Sequence, residues 1–179
     1  MAATSQPLCT QVALDILKAG GSAADAAIAA NACLGLMEPT GNGMGGDLFA
    51  LVWDPEQKDF VGLNASGRSP QGLSYDELCQ LSPDGYVPER GPAAVTTPGA
   101  VDGWCRLHAK YGRLPLSEVL EPAMQLARTG VAIGVNTSGA WAEAVDHLRQ
   151  DPMLENLLQP FLETYTLQGR TPEPGDVFR

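Results

Sequence analysis

EPTGNGMGGDLFALVW, residues 38–53, joins the end of a small-residue helix to a glycine-rich turn and then to an unbroken apolar run. Four glycines fall within six positions, Gly41, Gly43, Gly45 and Gly46. That density suits a turn with positive φ or close backbone approach, which side chains would forbid. Leu48-Phe49-Ala50-Leu51-Val52-Trp53 has no polar alternation, so a strand here is expected to bury both faces in a sheet covered on each side.

Upstream, Ser5 is expected to cap a helix with Pro7 in its first turn and Leu8, Val12, Leu14, Ile16 and Leu17 at near-helical spacing, ending at Gly20-Gly21. Ser22, with Asp25 in the first turn, opens a second helix whose alanines at 23, 24, 26, 27, 29, 30 and 32 leave small side chains almost all round. Such a helix packs closely against more than one neighbour. Asn31 is its polar exception, either a satisfied core amide or a site residue.

Downstream, Asp54-Pro-Glu-Gln-Lys58 reads as a hairpin turn returning into an antiparallel strand, Phe60–Asn64. The return strand leads into Ala65-Ser66-Gly67-Arg68-Ser69-Pro70. Arg68 is either a solvated loop arginine, a structural ion pair, or a clamp whose guanidinium fork takes a carboxylate with two hydrogen bonds. Ser74 and Glu77 form a capping box for a short helix, Tyr75–Leu81, followed by a Pro- and Gly-rich loop, Ser82–Pro92. Ala93–Thr96 is expected to be a short strand. A helix follows at Ala100–Tyr111 with Val101, Trp104, Cys105, Leu107 and His108 on or near one face, closed by Gly112. Further helices are expected from Pro115 to Gly130, with Pro122 kinking or dividing it, from Thr137 to Arg149, and from Asp151 to Tyr165. Gly169–Gly175 then reads as a linker into a new element.

The chain has 179 residues, 44% of them apolar and only 6% aromatic, which supports a folded core packed through small residues. Its net charge of -10 gives no footprint for nucleic acid or anionic lipid. No apolar run is long enough to span a bilayer, so no membrane partner is expected. The N-terminus lacks a charged and apolar leader, which with free thiols points to the cytoplasm, or to the periplasm or exterior if an upstream signal has been removed. Cys9, Cys33, Cys79 and Cys105 form no CxxC pair, so buried free thiols are expected in preference to zinc, a disulfide or a reactive thiol. His108 and His147 are the only histidines and lie far apart in sequence, so neither a metal site nor a Ser-His-Asp triad is indicated. No cofactor is implied.

Residues 5–70, SQPLCTQVALDILKAGGSAADAAIAANACLGLMEPTGNGMGGDLFALVWDPEQKDFVGLNASGRSP, together with 96–130, TTPGAVDGWCRLHAKYGRLPLSEVLEPAMQLARTG, resemble the large-subunit part of the gamma-glutamyltranspeptidase (glutathione hydrolase) family. The shared pattern is GG-S-A-x-D-A-A-x-A, E-P before a glycine-rich turn, an arginine after the hairpin, P-G-x-V-x-G-W and Y-G-x-L-P. The SGRSP turn is more similar to the bacterial glutathione hydrolase-like and acylase-like branch than to the G-R-E-x-A-P form of the animal membrane enzymes.

The resemblance implies an α+β fold, part of a four-layer αββα N-terminal nucleophile hydrolase sandwich, with residues 1–179 as a single incomplete domain. It implies a proenzyme that cuts itself so that a threonine begins a small subunit, this chain's partner. The threonine hydroxyl attacks a gamma-glutamyl amide such as that of glutathione, with its own α-amine as base. By the same resemblance Arg68 binds the α-carboxylate of the gamma-glutamyl group, and Gly41–Gly46 is architectural. The nucleophile and most of the oxyanion hole lie outside this chain, so no catalytic residue is assigned and the segment alone is expected to be inactive. Thr96-Thr97 precedes Pro98-Gly99 and matches the P-G-x-V-x-G-W segment, not the processing site. The competing expectations are an amidohydrolase of the same family acting on a glutaryl or cephalosporin-type N-acyl group, and a non-catalytic interaction module.

Overall fold

The computed structural model describes residues 1–81, 85–87, 91–150 and 155–179. In chain order its elements are α1 (Pro7–Lys18), α2 (Ala23–Met37), β1 (Leu48–Asp54), β2 (Asp59–Ala65), α3 (Tyr75–Leu81), α4 (Ala100–Tyr111), α5 (Leu116–Thr129), β3 (Val131–Ala132), α6 (Val135–Gln150), α7 (Glu155–Tyr165) and β4 (Val177–Phe178). Helices dominate and the strands pair in short antiparallel sheets, β1 with β2 and β3 with β4, which is the expected α+β class. The chain divides into two compact units, one made of Met1–Gly43 with Gly112–Arg179 and the other of Met44–Tyr111.

In the first unit α2 packs against both α1 and α5. Its buried residues include Ala24, Ala26, Ile28, Ala29, Ala30 and Cys33, so small side chains let neighbouring helices approach from more than one side. Ser22 caps this helix as expected, and Asp25 makes the cap reciprocal. The Asp25 amide donates to Ser22 Oγ at 3.1 Å, and Asp25 Oδ2 accepts from the Ser22 amide at 2.8 Å. That same oxygen accepts the amides of Arg113 at 2.9 Å and Leu114 at 3.2 Å. Asp25 is fully buried, yet its carboxyl lies below the usual range. Burial opposes ionisation most strongly, and the backbone N–H bonds from Ser22, Arg113 and Leu114, with the Ser22 hydroxyl, outweigh it.

A second cluster in this unit gathers Val131, Ile133, Trp141 and Val145, with Leu36, Met37, Leu126, Phe161, Leu162 and Phe178 packed on it. Trp141 meets the edge of Phe178 at 4.8 Å between centroids, and its indole N–H donates to the Tyr165 carbonyl at 2.9 Å. The β3–β4 pairing, absent from the sequence reading, brings Val131 opposite Phe178 and turns the expected linker into a closed loop. Arg170 bonds Asp176 at 2.8 Å within that loop. Pro122 lies inside one continuous helix, α5. The expected start of a helix at Asp151 lies outside the described residues.

Ser5 does not cap α1. The N-cap is Gln6, without a side-chain cap. The Ser5 hydroxyl instead donates to Glu38 Oε2 at 2.8 Å, and the Gln6 amide group to Glu38 Oε1 at 2.8 Å. A carboxylate beyond the end of α2 thus competes successfully with the local cap.

In the second unit β1 and β2 form a hairpin in the register Leu48↔Ala65, Ala50↔Leu63 and Val52↔Val61. α4 covers the face carrying Leu48 and Ala65. Its buried stripe is Ala100, Gly103, Trp104 and Leu107, at i, i+3, i+4 and i+7. Val101 and Cys105, expected near that face, fall outside the stripe and are exposed. Gly103 is required by proximity, because a Cβ there would lie 2.8 Å from Ala65 Cβ and 2.9 Å from Leu48 Cδ2. Asp54 closes the hairpin turn, accepting the amides of Glu56 at 3.0 Å and Gln57 at 3.2 Å, and also meets the Tyr111 hydroxyl at 3.2 Å.

The opposite sheet face is open. Phe49, Leu51, Trp53 and Phe60 are 68%, 71%, 53% and 60% exposed, so the expected burial of both strand faces is not met among the described residues. A two-stranded sheet with a single helix on it has only one covered side. Ala93–Thr96 is not a strand either. A 3-10 turn occupies Pro92–Ala94, and Thr97 makes one backbone bond, to the Arg68 carbonyl at 2.9 Å, in place of a ladder. Prolines at 92 and 98 bracket the segment and withhold two donors. The Ser74–Glu77 capping box and Tyr75–Leu81 helix are present as read; the loop beyond lies partly outside the described residues.

Asp25→Ala leaves the Ser22 side-chain cap in place but strands the amides of Ser22, Arg113 and Leu114, and is expected to lower the unfolding free energy of the complete protein by about 3–5 kcal/mol in urea titration. Asp25→Asn, which keeps an acceptor oxygen, is expected to cost less. Because the folded carboxyl lies below its unfolded value of about 3.9, its contribution is full above that pH and disappears as pH falls through the folded value. Stability curves of the wild type and Asp25→Asn should therefore converge on acidification.

Candidate functional site

Arg68 lies three residues beyond the end of β2, and its position follows from the hairpin register. Pairing of Leu48 with Ala65 brings Asp47, the last residue of the glycine-rich turn, beside Ser66 and Gly67. Asp47 Oδ1 accepts the Gly67 amide at 2.7 Å and the Thr96 hydroxyl at 3.0 Å, while Oδ2 accepts the Ser66 hydroxyl at 3.2 Å. These bonds hold the Asp47 carboxyl below the usual carboxylate range, the Gly67 amide having the largest effect and the Thr96 hydroxyl the next.

The same turn is held from its other side. The Thr97 amide donates to the Arg68 carbonyl at 2.9 Å, and the Gly46 carbonyl accepts the amides of Gly99 at 3.0 Å and Ala100 at 2.9 Å, at the start of α4. Contact is so close that a Cβ on Gly67 would overlap the Thr97 carbonyl and approach Thr96 Oγ1 to 2.8 Å. Only glycine fits there. The backbone around Arg68 is thus pinned, whereas its side chain is exposed and makes no ion pair among the described residues. A guanidinium in that condition can take an incoming carboxylate through two parallel N–H···O bonds.

The glycines of the opening turn contribute differently from the expectation. Positive φ occurs elsewhere, and a Cβ at Gly41, Gly43 or Gly45 meets nothing within 4 Å among the described residues. The steric demand falls on Gly67, where the sequence shows one glycine in a polar turn. Asp47 belongs to no sequence motif. Its signal is that it is the only charged residue between Glu38 and Asp54, directly before an apolar strand.

Other sequence candidates do not join this cluster. Thr96 gives its hydroxyl to Asp47, and Thr97 supplies a backbone amide. Asn31 is half-buried on α2 and belongs to the first unit. Cys9 and Cys33 are buried, and burial raises their thiols to about 11 and about 12, with Glu38 adding to the first and Cys9 to the second. Cys79 and Cys105 are exposed, against the expectation of buried thiols; α3 buries none of its residues, and Cys105 lies off the packed stripe of α4. Among the described residues, no group of three or more His, Cys, Asp and Glu is placed to hold a metal ion. No described helix is long and apolar enough to cross a membrane.

The gamma-glutamyltranspeptidase family pattern matches residues 9–179. The chain is 35% identical over 172 residues to the glutathione hydrolase-like YwrD proenzyme of Bacillus subtilis, covering 96% of this chain and 31% of that protein. It is also 35% identical over 185 residues to the oxamate amidohydrolase proenzyme of Klebsiella pneumoniae, covering 100% of this chain and 33% of that protein. Among solved structures it matches the cephalosporin acylase of Bacillus halodurans with a TM-score of 0.86 and 42% identity, over 99% of this chain and 32% of that one. The chain spans about a third of the length of these curated relatives. With its family pattern matched almost end to end and its α+β architecture shared with an N-terminal nucleophile hydrolase, the chain belongs to the gamma-glutamyltranspeptidase family.

Proposed function

We propose that this chain is the N-terminal portion of the large subunit of a self-processing gamma-glutamyl hydrolase or transferase, in which Arg68 anchors the α-carboxylate of the acyl group. The observation that carries the reading is the pinned backbone of Arg68 and its exposed guanidinium, which makes no ion pair among the described residues. The nucleophile, a threonine at the start of a small subunit, comes from the part of the polypeptide not contained here. Its hydroxyl forms an acyl-enzyme and releases the amine, and water or an amino acid then takes the acyl group. The open face of Phe49, Leu51, Trp53 and Phe60 is where the second sheet of the sandwich packs. Full burial is worth about 1.5–3 kcal/mol for each large apolar side chain.

A second reading has support of its own. Relatives named an oxamate amidohydrolase and a cephalosporin acylase favour an amide hydrolase whose acyl group differs from gamma-glutamyl. Oxamate also carries a carboxylate, so Arg68 keeps its role under either reading. Comparing kcat/KM for gamma-glutamyl and glutaryl anilides separates the two.

Intact mass and N-terminal sequencing of the complete gene product are expected to give two fragments, the smaller beginning with threonine; a single uncut product would remove the hydrolase reading. Arg68→Lys in the processed enzyme is expected to raise KM for a carboxylate-bearing acyl anilide by about 10–100-fold, since a single ammonium cannot reproduce the fork pair. An unchanged KM would sink the anchor assignment. Leu51→Asp is expected to abolish assembly of the complete protein by placing an unpaired charge against the covering sheet, read as loss of soluble processed product.

A further inference from the structure

We infer that Asp47 is a positioning residue for substrate recognition, fixing the pose of Arg68 by holding the Ser66–Gly67 turn against the Thr96–Thr97 segment. The inference rests on the reading of Arg68 as the carboxylate anchor. Asp47 makes its bonds to both segments: the Gly67 amide and Ser66 hydroxyl immediately before Arg68, and the Thr96 hydroxyl across from it. The Thr97 amide, one residue on from Thr96, then holds the Arg68 carbonyl. The α-carbon of Arg68 thus sits between two fixed points, and Asp47 controls one directly and the other through Thr96. Without the carboxylate, the Gly67 amide and two hydroxyls lose their common acceptor, and the glycine that permits the close approach also permits the turn to wander. An arginine at the end of a wandering turn keeps its charge but loses the fixed fork geometry that two-point carboxylate recognition needs.

The purpose-specific alternative to a general stabilising role is tested in the complete processed enzyme. The substrate is whichever of gamma-glutamyl or glutaryl anilide it turns over, compared with an analogue bearing a carboxamide in place of the distal carboxylate. Asp47→Ala is expected to raise KM for the carboxylate substrate about tenfold, to leave kcat/KM for the carboxamide within about threefold, and to add nothing to KM when Arg68 is already Ala. Asp47→Asn is expected to restore much of the loss, because its oxygen can serve Gly67 and Thr96 while the Ser66 hydroxyl turns to accept from its amide.

An Asp47→Ala enzyme with unchanged KM, or one whose KM rises equally for both substrates or equally in the Arg68→Ala background, would overturn the inference. If Arg68→Ala itself fails to distinguish the two substrates, the anchor reading falls and this inference with it, which separates the two failures. Should Asp47→Ala not fold, Thr96→Val removes one donor and leaves the carboxylate in place. A KM raised about threefold for the carboxylate substrate alone supports the inference, and equal effects on both substrates overturn it.

Discussion

A carboxylate that accepts N–H or O–H groups from distant segments is the interaction on which both units depend. In the first unit Asp25 Oδ2 receives three amides, one from its own helix cap and two from the segment leading into α5. In the second unit Asp47 joins the glycine-rich turn to the chain before Arg68 and to the segment before α4. Segments of this kind have no helix or strand ladder to satisfy their donors, so an ionised side chain substitutes for missing secondary structure. Charge makes these bonds stronger than a serine or asparagine would provide. It also leaves each carboxyl with a depressed pKa, in Asp25 against the opposing effect of burial.

Local rules were legible in the sequence wherever donor and acceptor were close along the chain. The Ser22 cap, the Ser74–Glu77 box, the 54–58 turn and the span of α4 all depend on neighbours within a few residues. Most departures from the sequence reading arise where a distant residue decides the outcome. Ser5 has the chemistry of an N-cap, but Glu38 captures its hydroxyl from 33 positions away. Val131 and Phe178 meet across an interval too long for any hairpin signal. The apolar run of β1 implies two-sided burial, but a run reports what a strand would bury in its full setting, not which face this chain covers.

The candidate site shows the same division. Arg68 stood out as a charge at the end of an apolar hairpin, and the family resemblance gave it a role. Its supporting carboxylate did not stand out, because the link from Asp47 to Thr96 crosses 49 positions and a single aspartate before a strand has no pattern of its own. Glycine counting was misleading for a physical reason. Four glycines in a turn advertise freedom, yet Gly41, Gly43 and Gly45 have open space around them, while the isolated Gly67 is packed against a carbonyl. Density of glycine is visible in sequence; the absence of room for a methyl group is a property of two segments meeting.

The uncovered sheet face bears on the order of events during synthesis. The hairpin that carries it closes through a short turn, so it can form as soon as it emerges, with four large apolar side chains waiting for a partner. In the proposed proenzyme the covering strands lie on the same polypeptide, and the tether makes their encounter intramolecular. Cutting the chain is then harmless only after the layers have closed. Under the proposed self-processing, cleavage placed late, inside the finished sandwich, would let the molecule gain a new chain terminus without ever exposing this face to a bimolecular search.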